Sequence, residues 1–236
     1  KSNPRIGLIT LGSDFRIEKD FNNLIYGKDI DLYVNRIHCY NPLANATLAK
    51  MAEDITEVTK DILPDQKLDC VAYGCTSGTV AVGYDVIKKR VNLAKPEAKV
   101  TTPITSTVKA LKVLGINKIS IFTPYTKTIN KSVVGYFKKN KIIINSLTYL
   151  NINSDLDIGK VDENYLFEVL SKIDLEDSDA LFVSCTALPV LSIINRLEKK
   201  LNKIVLSSNQ TLIWETLNVI GNRDPVVGFG KIFGVN

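Results

Sequence analysis

Two Cys-Thr dipeptides, Cys75-Thr76 and Cys185-Thr186, each end a short apolar run and precede a helix-like stretch. A thiol at a strand-to-helix junction lies near backbone N–H groups and the positive end of a helix dipole. Both favour the thiolate. Two such thiols suit paired acid–base work on a small carboxylate: one face of the α-carbon loses a proton while the other gains one, without metal or cofactor. The enediolate formed on the way needs hydrogen-bond donors. Thr76, Ser77, Gly78 and Thr79 after Cys75, and Thr186 with Ala187 after Cys185, offer backbone N–H groups and hydroxyls in that place.

Three further positions carry useful polar groups. Tyr125, in Thr123-Pro124-Tyr125, either gives its hydroxyl to a carboxylate or is a buried tyrosine satisfied internally. Asp14, in Gly12-Ser13-Asp14, is a ligand contact or a loop cap. Asn209, in Ser208-Asn209-Gln210, directs an amide into the site or belongs to a helix cap. Cys70, in an apolar run, and Cys39, at a strand end, read as core packing. The single histidine, His38, and the absence of a CxxC pair argue against a zinc site and against Cys-His catalysis.

These residues are positioned by an alternation of short apolar strands and amphipathic helices. Strands are expected at 5–10, 31–39, 69–73, 100–102, 118–123, 142–150, 180–184 and 204–206. A long helix is expected from Asn41-Pro42 to about Leu63, with Leu48, Met51, Ile55, Val58 and Ile62 on one face. Other helices are expected over 76–91, 103–114 with Gly115 as C-cap, 126–140, 162–173, 187–201 and 211–220. Such alternation implies an α/β fold with parallel sheets covered on both faces. Ligands then bind beyond the carboxyl ends of the strands.

The chain also repeats itself. The run Arg5–Thr10 resembles Lys118–Thr123, and the Cys-Thr pairs are spaced alike, both at offsets of about 110 residues. The expectation is two Rossmann-like lobes related by a pseudo-twofold, with the site in the cleft between them. Their extents are 1–107 plus 221–236 and 108–220.

With 236 residues, 45% hydrophobic and 23% charged, the composition is that of a globular domain with a sizeable core. The net charge of +5 comes from lysines and arginines scattered among acids, so a nucleic-acid partner is not expected. No apolar run is long enough to span a bilayer, and no signal peptide opens the chain, so a cytoplasmic location with reduced thiols is expected. The expected partner is a small carboxylate substrate, with a homo-oligomer as an open option.

Taken together, Ile6-Gly-Leu-Ile-Thr-Leu-Gly-Ser-Asp14, Tyr73-Gly-Cys-Thr-Ser-Gly-Thr79, Thr123-Pro-Tyr125, Ser184-Cys-Thr-Ala-Leu188 and Ser207-Ser-Asn-Gln210 with Trp214 resemble the Asp/Glu racemase superfamily. The branch is that of maleate isomerase and arylmalonate decarboxylase, and the likeness is greatest to the ectoine-utilisation racemase-like proteins. It implies a cofactor-free isomerase with Cys75 and Cys185 as acid/base or nucleophilic pair, and with Tyr125 and the loop after Cys75 holding a carboxylate.

The first expectation is therefore two-base racemisation of an amino-acid-like carboxylate. The alternatives are cis–trans isomerisation with Cys75 as covalent nucleophile, decarboxylation with Cys185 as proton donor, and a non-catalytic carboxylate-binding protein. Maleate isomerases carry Asn where this chain has Asp14. An ionised Asp14 would repel a dicarboxylate and suits a substrate amino or amidine group.

Overall fold

In a parallel sheet covered on both faces a strand has no solvent side, and the central apolar runs of this chain form such strands. The computed structural model describes residues 2–235. The first half runs β1 (Arg5–Leu11), α1 (Ile17–Ile25), β2 (Asp31–Ile37), α2 (Asn45–Met51), α3 (Ile55–Lys60) and β3 (Cys70–Gly74). It continues through α4 (Thr76–Val82), α5 (Tyr84–Ala94), β4 (Lys99–Thr101) and α6 (Pro103–Val113). The second half runs β5 (Lys118–Thr123), α7 (Lys127–Lys139), β6 (Ile143–Tyr149), α8 (Asp155–Gly159) and α9 (Glu163–Leu170). It closes with β7 (Ala180–Val183), α10 (Ile194–Leu201), β8 (Ile204–Ser207) and α11 (Ser208–Val219).

Each half builds one four-stranded parallel sheet, in the orders β2-β1-β3-β4 and β6-β5-β7-β8. The same order in both confirms the repeat. β3 and β7 are buried along their whole length, whereas the edge strands β2 and β6 are partly exposed. Register then fixes what stands beside each cysteine. Thr10 of β1 pairs with Gly74, so the Gly12–Asp14 loop leaves the sheet next to Cys75. Phe122 of β5 pairs with Val183, so Tyr125 leaves next to Cys185.

The halves meet where α6 packs on α11. Each helix follows the fourth strand of its own sheet, so they are counterparts under the repeat. α11 is buried along most of its length although its sequence, SNQTLIWETLNV, is rich in polar residues. Its hydroxyls and carboxylate find partners instead of water: Thr211 with Thr107 at 2.9 Å, Thr216 with Thr101 at 2.8 Å, and Glu215 with Ser106 and Lys109.

Several boundaries differ from expectation. The helix expected at Asn41-Pro42 begins only at Asn45, where the Ala44 N–H donates to the Thr47 hydroxyl at 2.9 Å, and a 3₁₀ turn at Ala52–Asp54 separates α2 from α3. α1 and α8 were not anticipated; each is short and follows a polar loop. Gly115, expected as C-cap, stands one residue beyond Leu114 at φ +69°, the left-handed position that favours glycine. The division expected at 107/108 falls within α6, one continuous helix. Residues 221–236 were expected with the first lobe, but the Gln210 amide donates to Phe229 O and the Lys231 N–H to Glu198, which holds that stretch on α10 and α11. The stretch also touches the first half, where Lys28 donates to Pro225 O at 3.2 Å. Asn236 lies outside the described residues. No helix among them is long and apolar enough to cross a membrane.

Candidate active site

Cys75 leaves β3 in extended conformation (φ −145°, ψ 112°) and serves as N-cap of α4. Its Sγ accepts the Gly78 N–H at 3.2 Å and lies 3.9 Å from the Ser77 hydroxyl. Gly78 is required here: a Cβ on it would stand 2.8 Å from that sulfur and 3.0 Å from the Tyr73 hydroxyl. As the first two helical residues, Thr76 and Ser77 present N–H groups that no carbonyl of α4 can accept.

Cys185 occupies the equivalent end of β7 but a different backbone. Its φ is +112°, a conformation that strains any residue with a side chain. The helix expected from Ala187 starts at Ile194, after a turn and a 3₁₀ segment at Leu191–Ile193. Pro189 explains the delay, because the residue before a proline is driven away from helical geometry. Cys185 therefore has no helix end beneath it. The Ala187 N–H and the Tyr125 hydroxyl face its thiol instead.

Hydrogen bonds between the halves draw the two motifs together. Ser208 Oγ accepts both the Cys185 N–H at 2.9 Å and the Thr76 hydroxyl at 2.8 Å. In the reverse direction, the Thr186 hydroxyl donates to Gly74 O at 3.3 Å. Each Cys-Thr pair is thus tied to the other lobe beside its partner.

Carboxyl groups surround the thiols. Asp14 Oδ1 accepts the N–H groups of Arg16 and Ile17 at 2.7 and 3.1 Å, so the loop-cap role holds for that oxygen. Its Oδ2 is buried with no partner. Asp155 Oδ2 accepts the Ser13 hydroxyl at 2.6 Å, a bond between the lobes. Asp20 accepts from the Asn209 amide at 2.8 Å, and the same nitrogen donates to Thr186 O at 2.8 Å. Among the described residues, six buried side-chain oxygens lack a partner. Five of them, on Thr10, Asp14, Tyr73, Ser184 and Asn209, lie at or just past carboxyl ends of strands, where a ligand would complete them.

Burial dominates the protonation states. The Cys75 thiol is pushed up to about 12, chiefly by loss of water, with the Gly78 N–H opposing and the Asp155 charge adding. Burial raises Cys185 well above the ordinary thiol value too, reinforced by Asp155 and Asp14. This corrects the expectation of stabilised thiolates. One or two N–H groups do not offset removal from water, so both thiols rest protonated. Burial likewise raises Asp14, lifts Asp155 to about 6 and Asp20 to about 7.

The expected residues converge, with altered parts. Cys75, Cys185, Ser77, Ala187, Tyr125 and Asp14 meet at the facing strand ends. The hydroxyls of Thr76 and Thr186, expected on the substrate, are spent on the lobe contacts, and that of Thr79 on Cys75 O. Asn209 lies two residues past the cap formed by Ser207 and braces Thr186. Cys39 is half-buried and packs against the core, at the site's edge near Ser13, Asp14 and Asp155. Asp155 and Asp20 are not foreseen from sequence, and Ser13, Ser184 and Ser208 enter only as members of their motifs. A signal existed for Asp155, since the loop after β6 is the repeat counterpart of the loop after β2. The two loops touch through the Leu43 N–H and Asn153 O at 2.9 Å.

Comparison with known proteins agrees with this architecture. A family model described as Amdase, arylmalonate decarboxylase, matches residues 52–233. A maleate isomerase of Alcaligenes faecalis is 28% identical over 178 residues, covering 72% of this chain and 70% of the relative. The solved maleate isomerase Iso from Pseudomonas putida S16 superposes with a TM-score of 0.90 at 21% identity, covering 98% of both chains. A maleate cis-trans isomerase of Nocardia farcinica, solved as a cysteine-to-serine mutant with a covalently bound succinylcysteine intermediate, gives 0.89 at 19% identity with 98% of both chains covered. At such identities the two structures speak for the fold.

Proposed function

Because the chain belongs to the arylmalonate decarboxylase family, we propose that it is a cis–trans isomerase of a small unsaturated carboxylate. The observation that carries this reading is the meeting of Cys75-Thr76 and Cys185-Thr186 across the lobes through Ser208 and Gly74. Beside these motifs lie the unpartnered polar atoms of Asp14, Ser184 and Asn209.

The reaction adds one S–H across the double bond and then removes it. The Cys75 sulfur bonds to one alkene carbon and the π pair moves to its neighbour. That neighbour takes a proton from the Cys185 thiol, and the proton released by Cys75 replaces it. Rotation about the new single bond, followed by elimination in reverse, returns both thiols and the trans product. Cys75 is the nucleophile because α4 and the Gly78 N–H support charge on its sulfur. Cys185 is the acid because it has no helix end and lies beside Asp14 and Asp155, whose charges hold its proton. To the N–H groups of Thr76 and Ser77, the Ser77 hydroxyl and Tyr125 we assign the binding of the activating carboxylate as charge develops on it.

Covalent isomerisation takes precedence over racemisation here. The relatives named as maleate isomerases, one of them with a succinylcysteine, favour it. The test uses maleate, maleamate and cis-4-aminobut-2-enoate, followed by proton NMR, with mass spectrometry of Cys185→Ser for a thioether on Cys75. The reading fails if no cis-enoate is isomerised, or if activity survives Cys75→Ser.

A further inference from the structure

The unpartnered oxygens beside Thr186 are acceptors, and what they lack is a donor. Asn209 gives its amide N–H groups to Asp20 Oδ2 and Thr186 O. Thr186 O is a backbone carbonyl that can only accept, so the orientation of the amide is set and its Oδ1 is an acceptor without a hydrogen. Asp14 has its Oδ1 filled by two N–H groups, while its Oδ2 accepts no hydrogen bond, the nearby Thr186 hydroxyl being given to Gly74 O. Both side chains are nearly inaccessible, at 1% for Asp14 and 2% for Asn209. The neighbouring cations are committed elsewhere. Arg16 donates to Gly159 O, and Arg36 to Leu11 O, Asp14 O and Glu18.

We propose that the Asp14–Thr186–Asn209 side of the site binds a primary nitrogen group of the substrate, an amide or an ammonium, where a dicarboxylate would carry its second carboxylate. This rests on the isomerase reading and names the substrate class within it: a cis-2-enoate with –C(O)NH₂ or –CH₂NH₃⁺ at its far end. A primary nitrogen supplies two or three donors to acceptors that otherwise stay buried and unsatisfied. A second carboxylate supplies none, and it adds charge beside Asp14 and Asp155. The loop cap formed by Asp14 Oδ1 survives Asp14→Asn, so this variant changes the chemistry of Oδ2 while keeping the turn.

Calorimetric titration at pH 7.5 with succinate, succinamate and 4-aminobutanoate reads the preference without requiring turnover. At least one nitrogen ligand should bind ten-fold or more tightly than succinate. Succinamate ranking first assigns an amide, and 4-aminobutanoate ranking first assigns an ammonium. Among the alkenes, the same order should appear in kcat/KM, and Asp14→Asn should shift it at least ten-fold toward maleate. Succinate binding as tightly as either nitrogen ligand overturns the proposal. So does an Asp14→Asn ratio within two-fold of the parent, or the absence of saturable binding by both nitrogen ligands. The isomerase reading fails separately, when the nitrogen ligands bind preferentially but no cis-enoate is converted and Cys75 carries no adduct.

Discussion

Replacing Asp155 by Asn should stabilise the protein above pH 6 and wake both thiols at lower pH. Asp155 is 3% exposed, accepts the Ser13 hydroxyl, and titrates at about 6 instead of 3.8 because burial penalises its charge. The folded state therefore holds this proton more tightly than the unfolded chain does. Stability from this group is greatest below about pH 4 and falls as pH rises toward 6, since the unfolded chain ionises first. At 1.36 kcal/mol per pKa unit, the ionised carboxylate costs about 3 kcal/mol at pH 7.5.

Asn keeps an oxygen for Ser13 and carries no charge. Urea unfolding should show Asp155→Asn more stable than the parent by up to ~3 kcal/mol at pH 7.5, with the advantage gone near pH 3.5. The Asp155 charge also raises both Cys75 and Cys185. Alkylation by iodoacetamide, read peptide by peptide, should accordingly begin at lower pH for both thiols in the variant. A stability difference that stays constant from pH 3.5 to 7.5, together with an unmoved Cys75 profile, refutes the reasoning.

Three other outcomes follow from the geometry. Ser208→Ala leaves the buried Cys185 N–H and the Thr76 hydroxyl without an acceptor, which should cost about 1–3 kcal/mol in urea unfolding and lower isomerisation sharply. Gly78→Ala pushes a methyl into the Cys75 sulfur, so destabilisation of about 1–3 kcal/mol and loss of Cys75 adduct formation are expected, the latter by mass spectrometry. At Cys185 the usual order of small residues should reverse. With φ at +112°, Cys185→Gly should be about 1 kcal/mol more stable than Cys185→Ala, and equal midpoints would show that the strain is absent.

The alternation of elements, the repeat and the placement of both cysteines at third-strand ends were legible from the chain alone. Hydrophobic periodicity and turn residues are local signals, and β3, β5 and β7 lie within a residue or two of where they were expected. Short elements such as α8 and the true start of α2 were not, because a five- or seven-residue helix leaves too brief a pattern. The proline in Ser184-Cys-Thr-Ala-Leu-Pro189 was a readable warning against a helix at Ala187.

What only the tertiary structure decided is the condition of the thiols and the company they keep. Sequence placed a dipole and N–H groups near Cys75 and concluded that the thiolate is favoured. Folding surrounded both sulfurs with protein, and desolvation, a sum over neighbours distant in the chain, reversed the sign. The same long-range assembly brought Asp155 across from the other lobe. It turned the Thr76 and Thr186 hydroxyls into lobe ties, and left Asp14 Oδ2 and Asn209 Oδ1 waiting for a donor. Residue type and spacing determined which groups could react; burial and cross-lobe bonding determined which still carry a proton and which remain free to meet a substrate.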